Sequence, residues 1–273
     1  MKKKIIFKAL FIAVVLELFV IIGLKGYEII MDSLNLNKTV KISASSETKK
    51  EKPLSEIKEA SEIIDNITPE DNEKSYAPVK VDDSYFDDAL FIGDSRTVGL
   101  RSFGDFHNSY FFAKTGISTN ALFTYSDRDE TTGLTLSQVL VARQYKKIYI
   151  MLGINDLAYG TAVSFTDEFF EAVDKIREYQ PNAIIYIQSI IGVTKYKEQS
   201  APNTFSNATV LARNALLKSK CDGKTLIYLD LASVFSDSEG YLDTLYSADG
   251  LHLISDYYNM WCDYLRNNAL PES

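Results

Sequence analysis

Histidine and cysteine are the scarcest reactive side chains in this 273-residue chain, with two of each: His107 and His252, Cys221 and Cys262. Two histidines exclude a multi-histidine metal centre, and no carboxylate-rich ligand motif replaces them, so neither a metal nor a cofactor is expected. The cysteines are too few and too far apart for a disulfide framework or a CxxC knuckle. Two partly buried thiols, or one isolated disulfide, are the readings left open. Positive charge is also missing where a nucleic-acid binder would need it. From residue 81 onward 25 Asp and Glu stand against 16 Lys and Arg, which argues against a nucleic-acid partner. No internal repeat is visible.

What is present divides the chain into three parts. The first is residues 1–31, where MKKK leads into an apolar run from Ile5 to Leu24. As a helix such a run spans roughly 30 Å, about one hydrocarbon core. Lys8 lies close enough to the flanking lysines to snorkel to the interface, while Glu17 sits deep and is costly there unless protonated or paired. A cleavable signal peptide would want small residues in an AxA-like pattern after the run, and KGYEIIMDSL contains none. An uncleaved single-pass helix is therefore expected, with the lysines inside and the rest of the chain outside the cell membrane. Residues 32–80 are rich in Lys, Glu and Ser and poor in aromatics. Such a composition buries too little apolar surface to fold alone and reads as a spacer.

Residues 81–273 carry the periodic apolar segments, enough chain for one packed core. Short apolar runs at Ala89–Ile92, Tyr110–Ala113, Ile148–Leu152, Ala183–Gln188 and Leu226–Leu229 alternate with segments of helical period. That alternation predicts an α/β fold, a three-layer α/β/α sandwich on a five-stranded parallel sheet. Helices are expected over Phe165–Tyr179, with Ser164 and Asp167 as a capping box, over Ala208–Lys218, and over Ser255–Asn267 with Ser255 as N-cap. In such sheets chemistry collects at the carboxyl ends of the strands.

Four short blocks follow strands or precede the last helix. Gly93-Asp94-Ser95-Arg96 places a serine at a strand-to-helix turn, where a hydroxyl is exposed beside free helix N–H groups; a simple N-cap is the plainer reading. Lys114-Thr115-Gly116-Ile117-Ser118 offers a glycine backbone for close approach to a ligand, or merely a turn. Gly153-Ile154-Asn155-Asp156 offers a side-chain amide to developing negative charge, or an Asx-turn closing the strand. Asp249-Gly250-Leu251-His252 spaces a carboxylate and an imidazole so that the first can orient the second. His107 falls before the second strand, at its amino end, and is expected to take no part.

In this order and at these places the blocks resemble the SGNH hydrolases, also called GDSL-like esterases and lipases, over about residues 88 to 268. The resemblance implies Ser95 as nucleophile, His252 as base and Asp249 as its partner. It also implies an oxyanion hole made by the Ser95 amide, the Gly116 backbone and the Asn155 side chain. Two departures stand out. Arg96 replaces the leucine of the GDSL block and is expected to bring a charge beside the site, and Ser189-Ile190-Ile191-Gly192 stands where the family often has a proline-containing turn. Anchor, spacer and blocks together predict an extracytoplasmic O-acyl esterase or O-acyltransferase. Its expected substrate is an acylated, chiefly O-acetylated, cell-envelope glycan, and a transferase would add a membrane-bound acyl donor as partner. A lipase- or lysophospholipase-like hydrolase at the membrane surface and a catalytically silent binding module are the alternatives.

Overall fold

The computed structural model of the chain describes residues 77–271 and, apart from them, Lys58. The described residues all fall within one compact unit. The expected membrane helix, and nearly all of the spacer, lie outside the described residues. Among the described residues no helix is long and apolar enough to cross a membrane.

Five strands form one parallel sheet in the order β2-β1-β3-β4-β5. They are β1 (Ala89–Gly93), β2 (Tyr110–Ala113), β3 (Lys147–Met151), β4 (Ile184–Gln188) and β5 (Leu226–Leu229). Predicted and observed strands agree to within one residue at each end. All five residues of β1 and of β3 are buried, Lys147 at the head of β3 included, and the otherwise apolar run of each strand reflects a sheet covered on both faces.

The period of two along a strand then sorts side chains into two cores. Leu90, Ile92, Ile148, Ile150, Ile185 and Ile187 pack on one face beneath α2 (Leu136–Ala142), α3 (Ala162–Tyr179) and α5 (Asn207–Ser219). Phe91, Tyr149, Tyr186 and Ile227 pack on the other beneath α1 (Ser95–Phe103), the short α6 (Ala232–Phe235) and α7 (Tyr258–Asn267). A further short helix, α4 (Lys195–Ser200), follows the β4 loop. On the second face the rings of Phe91, Tyr149 and Tyr186 stack from strand to strand, 4.8 and 4.4 Å between centroids. Their register pairing makes this ladder.

Two helix starts differ from the sequence reading. The helix expected from Phe165 begins at Ala162, and its capping box is Thr161 with Ser164, not Ser164 with Asp167: Ser164 N–H donates to Thr161 Oγ1 at 3.2 Å and Thr161 N–H to Ser164 Oγ at 2.9 Å. Ala162 is fully buried, so packing extends the helix one turn beyond its apolar stripe. Ser255 does not cap the last helix. It opens a 3₁₀ turn, Ser255–Tyr257, from which α7 continues at Tyr258 without a side-chain cap. At the start of the described body, Val79 N–H donates to Ala269 O at 2.9 Å and Val81 N–H to Arg266 O at 2.9 Å, tying the entry of the chain to its end.

Candidate active site

The carboxyl ends of β2, β1 and β3, neighbours at one side of the sheet, lie level, because Gly93 pairs with Ala113 on one side and Met151 on the other. The loops leaving them hold the first three blocks, which therefore meet at one sheet edge. A Cβ on Gly93 would fall 2.0 Å from Thr97 Oγ1 and 2.7 Å from Met151 O, so glycine is what lets α1 start so tightly against the sheet. Asp94, not Ser95, caps α1, its carboxylate accepting Arg96 N–H at 2.9 Å. Ser95 is the first helical residue, half-buried, and its own N–H has no backbone partner among the described residues.

Ser95 and His252 meet across the fold, with Ser95 Oγ 2.9 Å from His252 Nε2. His252 Nδ1 lies 2.7 Å from Asp249 Oδ2. The other oxygen of Asp249 accepts the N–H groups of Leu251 and His252, both at 2.8 Å. One carboxylate thus holds both its own turn and the ring. A carboxylate on Nδ1 puts the ring proton there and leaves Nε2 to accept the serine proton. Partial burial pushes the Asp249 carboxyl up, but hydrogen bonds from the His252 ring and from the two backbone amides outweigh it and hold it well below the usual carboxylate range. Ser247 Oγ donates to His252 O at 2.7 Å and steadies the turn from behind.

Gly116 has φ +76°, the left-handed region, and open space on its Cβ side, and its N–H has no backbone partner among the described residues. Asn155 donates one amide hydrogen to Ile117 O at 2.9 Å, and Asp156 accepts Thr119 N–H at 3.0 Å. The third block therefore grips the second, rather than only closing its own strand. Burial drives the Asp156 carboxyl up to about 6, against the opposing effect of the Thr119 N–H and Arg213. Gly116, Asn155 and Asp156 line a cleft of about 460 Å³ together with Ser118, Asn120, Tyr159, Ser164 and Glu168.

Arg96 corrects one expectation. It does not bring a charge beside the hydroxyl; it is 1% exposed and turns beneath the site, donating Nε to Leu251 O at 3.0 Å, Nη2 to Gly192 O at 2.8 Å, and Nη1 to Ile191 O. Burial pushes this guanidinium down and the neighbouring Asp94 carboxyl up, and each charge opposes the other's shift. Ser189 to Gly192 is likewise buried. Asn214 pairs with both backbone groups of Ile190, at 2.8 and 2.9 Å, and Asn207 with both of Val193, at 2.9 and 3.1 Å. These amides replace strand partners after β4 ends, so no proline turn is needed there.

His107 is exposed in a turn before β2, at the opposite sheet edge from Ser95. Cys221 and Cys262 are both free, which closes the disulfide alternative. Among the described residues no group of three or more His, Cys, Asp or Glu is arranged to hold a metal ion. The sequence reading missed Tyr159, Ser164 and Glu168 as cleft residues. Ser164 and Glu168, four apart on α3, share a helix face, a spacing that was open to view.

A serine hydroxyl, an imidazole and a carboxylate joined in sequence at the carboxyl edge of a parallel sheet make the arrangement of a serine hydrolase. The profile of the GDSL-like Lipase/Acylhydrolase family matches residues 91–258, and the chain belongs to that family of ester hydrolases. Among solved structures it is similar to a Streptococcus pneumonia protein whose name refers to platelet activating factor, with 20% identity and TM-score 0.52, covering 78% of this chain and 92% of that one. It is also similar to a GDSL-like lipase of Bacteroides thetaiotaomicron, with 12% identity, TM-score 0.45 and 62% and 81% coverage. A carbohydrate acetylesterase family member of Sinorhizobium meliloti shows 16% identity, TM-score 0.43 and 62% and 91% coverage. At these identities the first likeness is one of fold. No curated protein sequence matches the chain.

Proposed function

We propose that the protein is a serine esterase or O-acyltransferase that removes or transfers an O-acyl group, chiefly O-acetyl, of a cell-envelope glycan. In this reading residues 5–24 anchor it in the cell membrane and the catalytic part faces outward. The observation that carries the chemistry is the unbroken hydrogen-bonded chain Ser95–His252–Asp249. His252 Nε2 takes the Ser95 proton as Oγ attacks the ester carbonyl, and the imidazolium is stabilised by Asp249. The N–H groups of Ser95 and Gly116 and the Asn155 amide stabilise the tetrahedral oxyanion. Collapse expels the alcohol, which takes the proton from His252, and leaves an acyl-serine. Water or a second alcohol then resolves it.

The lining of the cleft supports a glycan over a lipid chain. Ser118, Asn120, Asn155, Asp156, Ser164 and Glu168 are polar, with Phe165 as the apolar exception besides Tyr159, whereas a fatty acyl slot is mostly apolar. A panel of p-nitrophenyl esters of increasing chain length tests this. Acetate should be turned over best, and intact-protein mass spectrometry should show an acetyl adduct that Ser95→Ala abolishes. A preference for long acyl chains would overturn the glycan reading, and no turnover of any ester would overturn the enzyme. For the topology, protease added to intact cells should release the catalytic part; protection alongside a cleaved surface control would reverse it.

A further inference from the structure

The cleft beside Gly116 and Asn155 has a feature that catalysis at Ser95 does not use. Tyr159 is 75% exposed, yet it sits on the cleft wall with Gly160, a left-handed glycine at φ +66° that turns the chain into α3. Its backbone is held firmly. Arg213, buried, donates Nη2 to Tyr159 O at 2.8 Å and to Asp156 O at 3.1 Å, and Tyr159 N–H donates to Asp156 O at 2.9 Å. The result is an aromatic face presented to solvent from a braced turn.

Around it the cleft is rich in hydrogen-bonding groups and contains two carboxylates, Asp156 and Glu168, but no lysine or arginine. Glu168 is exposed, and Asp156 is buried at the floor. A large exposed tyrosine beside acceptors and small hydroxyls suits a ligand with an apolar C–H face and a polar rim. A pyranose ring has both. The C–H face rests on the tyrosine ring, and hydroxyl or amide hydrogens donate to the Glu168 carboxylate. An anionic sugar would bring its charge against Glu168 without a compensating cation in the lining. The volume of about 460 Å³ lies within the range of small-molecule sites.

We infer that this cleft is a saccharide subsite, in which Tyr159 stacks on an uncharged, ester-bearing pyranose ring and Glu168 selects against anionic ones. The inference rests on the esterase reading above and names the substrate class of that same site. The cleft shares Gly116 and Asn155 with the proposed oxyanion donors, while Ser95 and His252 are not among its lining residues, so the subsite adjoins the proposed acyl position through those two donors.

The test compares three acetyl esters on the full-length protein: p-nitrophenyl acetate, an O-acetylated neutral pyranoside, and an O-acetylated glucuronate. The ratio of kcat/KM for the neutral sugar ester to that for p-nitrophenyl acetate should fall about tenfold in Tyr159→Ala, chiefly through KM, and largely recover in Tyr159→Phe. Tyr125→Ala, at an exposed tyrosine outside the cleft, should leave that ratio where it is. Glu168→Gln should raise turnover of the glucuronate ester relative to the neutral one. An unchanged ratio in Tyr159→Ala, or a wild-type enzyme that prefers the glucuronate ester, would overturn the subsite while leaving the esterase intact. Failure of the wild type on all three esters would instead overturn the esterase reading itself.

Discussion

Arg96 donates its Nε to the carbonyl of Leu251 at 3.0 Å, so the residue after the serine grips the residue before the histidine. The same guanidinium binds the carbonyls of Ile191 and Gly192. One buried cation therefore ties the loop bearing His252 and the loop after β4 to the start of α1.

Removing this cation should cost both stability and turnover. Arg96→Met leaves three carbonyls short of a donor and Asp94 without its neighbouring cation, a loss of about 3 kcal/mol in the buried setting. The urea midpoint should drop accordingly, and kcat on a short ester should fall with it. Arg96→Lys should recover only part of each, because an ammonium cannot reproduce the planar fork. Wild-type midpoints in Arg96→Met would show that the three bonds contribute nothing net.

The relay residues should separate by step. Ser95→Ala should form no acyl adduct at all. Asn155→Ala should still form it, roughly 100- to 1000-fold more slowly, the loss expected for removal of the proposed oxyanion donor. Asp249→Asn should leave the fold intact and cut kcat by up to about 10⁴-fold through loss of tautomer control. His107→Ala should change little. Single-turnover acylation read by mass spectrometry distinguishes these, and a large effect at His107 with none at His252 would refute the assignment.

Asp156 should make stability depend on pH in an unusual direction. Its folded carboxyl is raised to about 6, chiefly by burial, from an ordinary 3.8. Between those values the folded state binds more protons than the unfolded one, so the contribution is favourable below about 4 and is lost as pH rises through 6. Asp156→Asn removes that dependence. The variant's urea midpoint, compared with wild type at pH 4.5 and pH 7.5, should gain at the higher pH by an amount worth up to about 2 kcal/mol. An equal difference at both pH values would mean that Asp156 stays charged in the fold.

The two thiols should be silent in the native protein. Burial pushes Cys221 up to about 12 and Cys262 up to about 11, far from the thiolate form at neutral pH. A thiol reagent at pH 8 should label neither until denaturant is added, and then both. Fewer than two thiols in the denatured, unreduced protein would reveal a disulfide.

Much of this was legible along the chain, for local reasons. The strands announced themselves because a doubly covered parallel sheet demands uninterrupted apolar runs, and β5 was read to the residue at Leu226–Leu229. The four blocks were legible because each lies directly beside a strand end or the final helix, where position in sequence dictates position at the sheet edge. Asp249 and His252 are three residues apart and needed no tertiary information to be paired. The fold alone decided everything that depends on partners distant in sequence. The side chain of Arg96 finds its acceptor 155 positions away, so a charge beside a serine looked like part of the site when it is part of the floor. Tyr159 and Glu168 belong to a turn and a helix face whose shared wall exists only once α3 packs on the sheet. The early start of α3 at Ala162 has the same origin: helix ends are set by the capping bonds and burial available in place, which outweigh the apolar period that locates the middle of the helix.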